Sequence, residues 1–496
     1  MNHPTSPRAL FDLITLCRVL LRLATSTAVL FLCAIPSAQA ETWNLVGGSS
    51  WNVPANWNPA SVPNAVGANA TFNNAATSLN PSQSGNRTIT LDAIQTVGSI
   101  NLNNDAANSF TNTISVGVGA NSLVFDELGA GPATITVSSI VGATGNNTIS
   151  APMTLTDSVT AFVNNVTASS AAGALNLTGT MSGPGGFTKS GLGMATFGTG
   201  AKTYTGPTVL NGGRTRISNV AQPSATSSFT INAGAQLTLI AAGTFNFGNG
   251  PLNLNGTGLG AGSVPGNFPG AIRNDSGLVI TIGNQIVLQS NSLVHVQAAA
   301  GTGTSATPTG SMTFSNIVSG PGSLTLTAPN SNIDQGTLFL TGSNSYLGGT
   351  FVNGGIIALS GAAATLGMGD VTVDDALSPD SIARLMIQSG VLNAIADTAT
   401  LSLGGGGVLG VADDGFIELQ SGVNETVSAL FLDGLAQVPG TYGSSDSGAE
   451  HVDNEYFSGT GIITVVAAVP EPGTASMLLA GLGAMLGARR FRRAAK

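Results

Sequence analysis

The sequence predicts an all-β body built as a stacked array of short strands. Composition is the first sign, because 67 of 496 residues are glycine and only 8% are charged. Long helices usually need Glu, Lys, Arg and Gln on their solvent side, and this chain has few of them. β-branched residues punctuated by Gly and Asn favour strands and tight turns instead. An internal repeat is the second sign.

Residues 182–218 and 319–360 are two copies of one unit. Each carries Tyr-x-Gly-x-Thr followed by Asn-Gly-Gly, starting at Tyr204 in the first copy and at Tyr346 in the second. Asn and Gly tolerate positive φ, so Asn-Gly-Gly is predicted to reverse the chain between two short strands. Such strands cannot bury a core alone, and stacking successive turns into a quasi-one-dimensional array provides one.

The first copy opens with Lys189-Ser190-Gly191, whereas Gln335-Gly336 stands at that place in the second. The whole pattern resembles the autotransporter-associated β-strand repeat. This resemblance implies that the body is a right-handed parallel β-helix or a closely related β-solenoid.

The first 40 residues are typical of a secretory signal peptide. A region with three arginines precedes an apolar stretch from Leu23 to Ile35, and Ala38-Gln39-Ala40 follows. That order predicts cleavage after Ala40, with Ala38 and Ala40 as the small residues of the cleavage site. An uncleaved membrane anchor is the alternative. Both cysteines of the chain lie in this segment, so the mature protein is predicted to contain no thiol.

Residues 469–496 form a tail in three parts. Pro470, Glu471 and Pro472 come first, an uncharged stretch at residues 474–488 follows, and the tail ends in a basic cluster that contains Arg489, Arg490, Arg492 and Arg493. The uncharged stretch predicts a helix of about 22 Å, which is short for a hydrocarbon core of about 30 Å. Snorkelling arginines and local thinning of the bilayer cover part of the deficit. The sequence therefore predicts a short transmembrane helix whose basic end stays in the cytoplasm.

This tail resembles the PEP-CTERM sorting domain of Gram-negative-type bacteria. The resemblance implies recognition of Pro470-Glu471-Pro472 by an exosortase, a membrane-embedded transpeptidase-like enzyme, with the arginine cluster as the membrane stop. It also implies an intermediate anchored in the inner membrane, followed by sorting to the cell surface or extracellular matrix. A plain C-terminal tail anchor is the alternative.

The predicted organisation is therefore a signal peptide at 1–40, a solenoid body at 41–468 and a sorting tail at 469–496. Between Glu41 and Val469 the chain has seven basic and 22 acidic side chains, a net charge of −15. Such a body should repel nucleic acid and anionic membrane surfaces. All three tryptophans lie between Trp43 and Trp57 and are predicted to cap the first coil. A platform that stacks on carbohydrate is the alternative for them.

The sequence contains no motif for a catalytic, cofactor or metal site. His295 and His451 stand alone, so neither a Ser-His-Asp triad nor a zinc site has a sequence signature. Asp374-Asp375 and Asp413-Asp414 are adjacent acidic pairs, and neighbouring residues on a strand point to opposite faces. We interpret these pairs as solvated turn residues, with Ca²⁺ binding in turns as the alternative.

These features predict a structural or adhesive protein of the cell surface or matrix, without enzymatic activity. Outward ladders of Thr, Ser and Asn are expected to contact glycans, so exopolysaccharide or other matrix proteins are the expected partners. A β-helix polysaccharide lyase or hydrolase is the alternative, because such enzymes pair clustered acids with Arg or Lys. Fourteen acidic residues and one base, Arg384, do lie between Asp370 and Glu455.

Overall fold

The computed structural model describes residues 40–73, 85–104, 111–139, 145–164, 174–259, 269–274, 277–298, 310–327, 336–374 and 382–466. The chain divides into the units Met1–Ala38 and Gln39–Lys496, and every described residue belongs to the second. Residues 1–39 of the predicted signal peptide, the sorting tail and the membrane helix predicted at 474–488 lie outside the described residues, whereas Ala40 is the first residue of a strand. Within the ranges above, no helix is long and apolar enough to cross a membrane.

The described residues form 44 strands, and a 3-10 turn at Pro54–Asn56 is the helical segment among them. In chain order the first strands are β1 (Ala40–Trp43), β2 (Ser49–Ser50), β3 (Trp57–Asn58), β4 (Asn69–Asn73), β5 (Arg87–Leu91), β6 (Gln95–Val97), β7 (Ser99–Asn104), β8 (Asn112–Val116), β9 (Leu123–Phe125), β10 (Ala133–Ser139), β11 (Asn147–Ile149), β12 (Met153–Leu155), β13 (Val159–Asn164), β14 (Leu175–Leu177) and β15 (Met181–Ser182). The middle strands are β16 (Phe187–Ser190), β17 (Ala195–Phe197), β18 (Thr208–Leu210), β19 (Gly213–Ile217), β20 (Phe229–Ile231), β21 (Ala235–Leu239), β22 (Gly243–Phe245), β23 (Leu252–Leu254), β24 (Ile272–Asn274), β25 (Val279–Ile282), β26 (Ile286–Leu288), β27 (Ser292–His295), β28 (Ser311–Phe314) and β29 (Val318–Ser319). The last strands are β30 (Leu324–Thr327), β31 (Thr337–Leu340), β32 (Thr350–Asn353), β33 (Gly355–Leu359), β34 (Val371–Val373), β35 (Ala383–Ile387), β36 (Thr400–Leu403), β37 (Phe416–Leu419), β38 (Asn424–Val427), β39 (Ala429–Leu432), β40 (Leu435–Ala436), β41 (Gly440–Gly443), β42 (His451–Val452), β43 (Phe457–Gly459) and β44 (Ile462–Val465).

These strands assemble into five sheets. Sheet A has the order β29-β26-β23-β20-β18-β16-β13-β10-β7-β4-β1-β3, and sheet B the order β2-β5-β8-β11-β14-β17-β19-β21-β24-β27-β30-β32-β34-β36-β39-β40. Sheet C is β15-β12-β9-β6, sheet D is β22-β25-β28-β31-β33-β35-β37-β43, and sheet E is β38-β44-β41-β42.

Chain order and sheet order together give the topology of a solenoid. The consecutive strands β4, β5 and β6 belong to sheets A, B and C, and β7, β8 and β9 lie one rung further along the same sheets. Between described strands the pairing is parallel except at β1–β3, β39–β40 and β41–β44. The predicted all-β solenoid with parallel sheets is therefore confirmed, while the right-handed sense of winding stays a prediction.

The core forms because alternate residues of each strand point inward and stack on the equivalent residue of the next coil. In sheet A, Ala70, Ile100, Ile135 and Ala161 are consecutive partners in register, and all four are buried. Full burial of one aliphatic side chain contributes about 1.5–3 kcal/mol. Each coil supplies few such residues, so the core exists only as a stack.

An amide ladder runs inside the stack near the start of the sheet B strands. The Asn112 side chain donates to Asn147 Oδ1 over 2.9 Å and accepts a 2.7 Å hydrogen bond from Arg87 Nε. All three residues are buried, so these hydrogen bonds satisfy polar groups that are removed from water.

The three tryptophans cap the first coil, as predicted. The Trp57 ring lies 5.1 Å from that of Trp43, 5.0 Å from that of Trp51 and 5.4 Å from that of Phe72, measured between centroids. All three indoles are buried, so the alternative of a carbohydrate-stacking platform is wrong. At the same end β3 pairs antiparallel with β1, which covers part of the strand edge that stacking leaves open.

The Asn-Gly-Gly segments turn a corner and do not reverse the chain. In the first copy β18 belongs to sheet A and β19 to sheet B, and each pairs with strands of neighbouring coils. The expectation of positive φ is confirmed at Gly213 (+63°) in the first copy and at Gly354 (+134°) and Gly355 (+81°) in the second. In the first copy one glycine with positive φ is enough to redirect the chain onto the next face.

Replacing Trp57 with alanine should unfold the cap at a lower urea concentration. The substitution leaves a cavity where three aromatic rings meet, and large-to-small changes of this kind cost about 3–5 kcal/mol. Emission from the remaining Trp43 and Trp51 reports the cap, because all tryptophans of the chain lie there. Trp57→Phe is the matched control and should lose much less, whereas equal midpoints for the alanine variant and wild type would contradict the capping role.

Candidate functional site

Tyr and Thr of the repeat signature hydrogen-bond to each other inside the core. Tyr204 Oη lies 2.7 Å from Thr208 Oγ1, and Tyr346 Oη lies 2.6 Å from Thr350 Oγ1. Both phenols are buried, and burial raises the pKa of Tyr346 to about 12. The spacing Tyr-x-Gly-x-Thr therefore provides each buried hydroxyl with a partner.

Lys189 is the opening lysine of the repeat signature, and its ammonium group is enclosed by glycine turns. Nζ donates to the carbonyl oxygens of Gly191, at 2.6 Å, and of Gly193 and Gly212, which lies in the next coil. The side chain is 0% exposed. Burial lowers the pKa of this lysine to about 7, while the three carbonyl dipoles favour its charged form. Lys189 thus joins two coils from within.

Lys202, further along the chain, also binds carbonyl oxygens of glycine residues through its ammonium group. Its Nζ donates to the carbonyl of Gly179 at 2.9 Å and to that of Gly200, and it lies 5.9 Å from the centre of the Phe197 ring. Burial lowers the pKa of this lysine to about 8. Lys189 and Lys202 are therefore structural and do not face solvent.

The second repeat copy has Leu326 where the first has Lys189, so the expectation that Gln335-Gly336 stands at that place is wrong. Lys189 pairs in register with Leu210, and Leu326 pairs with Val352, which occupies the equivalent position in the second copy. A Cβ at Gly213 would meet the Lys189 ammonium, and a Cβ at Gly355 would meet the Leu326 side chain. The two copies also lie on different faces, since β16 and β18 belong to sheet A whereas β30 and β32 belong to sheet B.

The outside of sheet A carries a regular uncharged surface, which we call the polar face. It consists of the outward side chains of β4, β7, β10 and β13. Amide hydrogen bonds cross between rungs, from Asn101 Nδ2 to Asn69 Oδ1 at 2.8 Å and from Asn103 Nδ2 to Asn73 Oδ1 at 2.9 Å. The members of the polar face are Asn69, Thr71, Asn73, Ser99, Asn101, Asn103, Thr134, Thr136, Ser138, Thr160, Phe162 and Asn164.

Phe162 is the aromatic member of the polar face. It lies in register with Thr136 on one side and Ser190 on the other, and it is 39% exposed. Sequence reasoning missed it, although its alternation with the buried Ala161 and Val163 places it on the outer side of the strand. The ladders of Thr, Ser and Asn that the sequence predicted are present on this surface.

Asp413 and Asp414 accept hydrogen bonds from backbone amides. Asp413 accepts hydrogen bonds from the Val408 amide at 3.1 and 3.2 Å, and Asp414 accepts from the amides of Ala383 at 2.8 Å and Gly415 at 2.7 Å. Asp375 lies outside the described residues. In the described part of the chain, no three acidic, histidine or cysteine side chains are grouped so that they could hold a metal ion.

The two histidines of the body occupy unrelated places. His295 is buried in β27, where Nδ1 lies 3.1 Å from the carbonyl oxygen of Thr327, and burial lowers its pKa to about 3. His451 is exposed and stacks on the Tyr442 ring with 4.5 Å between centroids.

Comparison with known proteins agrees with the geometry of the repeats. The family model described as passenger-associated-transport-repeat matches residues 187–217 and 334–359, and the one described as PEP-CTERM protein-sorting motif matches residues 468–493. The chain carries passenger-associated-transport repeats and a PEP-CTERM sorting motif. The predicted sorting residues Pro470, Glu471 and Pro472, and the basic cluster from Arg489 to Arg493, fall in the second match but lie outside the described residues.

A relative in Brucella suis biovar 1 (strain 1330) is called the Adhesin BmaC autotransporter. It is 29% identical over 328 residues, which cover 62% of this chain and 8% of that protein. The chain therefore matches only a small part of this relative. No solved structure matches the chain.

The stability of the repeat region should rise with pH between about 7 and 9.5, because the pKa of Lys189 is lowered on folding. In this window the unfolded lysine, with a pKa near 10.4, binds more proton than the folded one, so higher pH favours the folded state. The contribution of Lys189 to this rise should reach at most about 3 kcal/mol, since each pKa unit corresponds to about 1.4 kcal/mol. Below pH 7 the contribution is constant.

Lys189→Leu copies the residue of the second repeat and should reduce this rise. The measurement is the urea midpoint followed by far-UV circular dichroism from pH 6.5 to 9.5, below the range in which the tyrosines titrate. Arg216→Leu is the control, because a guanidinium stays charged throughout this range. A pH slope that is the same in the Lys189 variant and in wild type would contradict the assignment.

Proposed function

We propose that this protein is an exported, non-enzymatic surface protein whose solenoid body adheres to uncharged glycans of the cell surface or extracellular matrix. The polar face is the observation that carries the proposal. It presents twelve outward side chains over four successive rungs, and none of them is charged.

The chemistry of the polar face suits a carbohydrate chain. Amide groups donate and accept, and hydroxyl groups do both, so they match the hydroxyl groups of a sugar. Neighbouring rungs are about 4.8 Å apart, which places equivalent groups at regular intervals along the sheet. The exposed ring of Phe162 adds an apolar surface for the C–H side of a pyranose ring.

Charge favours a neutral glycan over an acidic one. The body between Glu41 and Val469 has a net charge of −15, so a polyanion is repelled at long range. The polar face has no cation that would offset this repulsion, and Lys189 and Lys202 are buried in the core.

Export and sorting complete the proposal. The signal peptide is removed between Ala40 and Glu41, an exosortase processes the chain at Pro470-Glu471-Pro472, and the precursor is held meanwhile in the inner membrane by the helix at 474–488. The match to the PEP-CTERM protein-sorting motif supports the second step, and the relative called an adhesin supports the surface location.

Phe162→Ser should weaken binding to insoluble neutral polysaccharides such as cellulose, xylan or mannan. Loss of one aromatic contact is worth about 0.5–1.5 kcal/mol, or roughly a two- to tenfold increase in Kd in a co-sedimentation assay. Binding should change little between 0.05 and 0.5 M salt, because no charge on the polar face takes part.

Phe351→Ser is the matched control. Phe351 is also an outward residue of a strand, but it belongs to β32 in sheet B, so this variant should bind as wild type does. Equal losses in both variants would contradict a role for the polar face. Failure of wild type to bind any neutral glycan would contradict the proposed function.

The mature protein isolated from its host should begin at Glu41 and end near Pro470. N-terminal sequencing and intact-mass analysis of the surface fraction measure both ends. A chain that keeps its C-terminal arginines would contradict exosortase processing and favour the tail anchor, and a chain that keeps residues 1–40 would contradict removal of the signal peptide.

A further inference from the structure

Glu41 places a carboxylate inside the first coil of the solenoid. It is the second residue of β1, it lies in register with the buried Ala70, and it is 5% exposed. Its neighbours on the inner side of β1 and β4 are apolar, so the carboxylate lies among groups that cannot solvate it. Burial raises the pKa of this carboxyl group.

Only part of this carboxylate is satisfied by hydrogen bonds. Oε2 is buried without a hydrogen-bond partner among the described residues, and the Glu41 N–H and the Ser61 side chain offset only part of the rise in pKa. An unpaired buried oxygen of this kind costs about 1–3 kcal/mol, and more when it is charged. A cation beside it would remove that cost, yet every basic residue described lies at Arg87 or beyond, and Arg87 donates to Asn112 and to backbone carbonyls.

We propose that removal of the signal peptide completes this site, because the α-ammonium group created at Glu41 pairs with the carboxylate of the same residue. Hydrolysis of the Ala40–Glu41 bond adds one water, leaves a carboxylate on Ala40 and gives the nitrogen of Glu41 its additional protons. This inference rests on the cleavage site of the proposed function.

Both groups of the pair belong to one residue. The nitrogen that becomes the ammonium already favours the charged form of the carboxylate through its N–H. An ammonium offers three donors in place of one, which is enough to supply Oε2 as well. Opposite charges at hydrogen-bond distance in a buried site attract more strongly than in water.

The pair links processing to the stability of the N-terminal cap. Trp43 is two residues from Glu41 on the same inner side of β1 and packs against Trp57. A charge left unpaired beside these rings weakens the cap, and pairing it strengthens the same coil. The processed chain should therefore hold its first coil more firmly than the precursor does.

Tryptophan fluorescence measures this effect, because all three tryptophans lie in the cap. Three chains that all run to Lys496 would be compared in mild detergent at pH 7: one starting at Glu41 with a free amine, the same chain with an acetylated amine, and one starting at Ala40. The free-amine chain should melt highest, by a few degrees, and the other two should melt together. Glu41→Gln should remove the difference between free and acetylated amines.

Equal melting of the free and acetylated chains would overturn the proposal, and so would a difference that persists in Glu41→Gln. These outcomes are independent of the proposed function, because the three chains are made with defined ends. A native protein that starts elsewhere would instead overturn the cleavage site.

Discussion

The fold depends on backbone hydrogen bonds that each short strand can make only with the coils before and after it. Strands such as β11 and β14 contain three residues each and pair in parallel with a strand of the next coil. A strand of this length has no partner within its own coil, so neither its backbone groups nor its inward side chains are satisfied alone. The same condition explains the two ends, where β3 and β40 run antiparallel and cover edges that have no further coil.

The sequence was sufficient to predict this architecture but not how the repeats are placed on it. Short β-branched strands, glycine turns and the two copies predicted a solenoid, and the clustered tryptophans predicted its cap. The copies nevertheless lie on different faces of the solenoid. Any two adjacent faces offer a strand the same parallel pairing, so the length of the segments between the copies determines which faces a copy occupies. The periodicity of the sequence does not predict those faces.

The structure also shows contacts of the repeat signature that the sequence did not predict. The spacing between Tyr204 and Thr208 recurs in both copies and is visible in the sequence. Only the structure shows that the two hydroxyl groups hydrogen-bond to each other. Lys189 looks like a surface residue by type, yet it is enclosed by carbonyls of glycine turns that lie far apart in sequence. Leu326 replaces it in the second copy. The unit therefore accepts at this position either a lysine whose ammonium group binds carbonyl oxygens or an apolar side chain. Phe162 was overlooked because an aromatic residue is expected to point inward.

Stacking in register is the central claim, and disulfide mapping tests it most directly. Both native cysteines, Cys17 and Cys33, precede Glu41, so a chain that begins at Glu41 offers a background without thiols. Thr134 and Thr160 are outward register partners on neighbouring rungs, at a spacing within the Cα range of disulfides. The account predicts that cysteines at 134 and 160 cross-link readily on mild oxidation, whereas cysteines at 134 and 162 do not. Preferential cross-linking of 134 with 162, or no cross-linking of either pair, would contradict it.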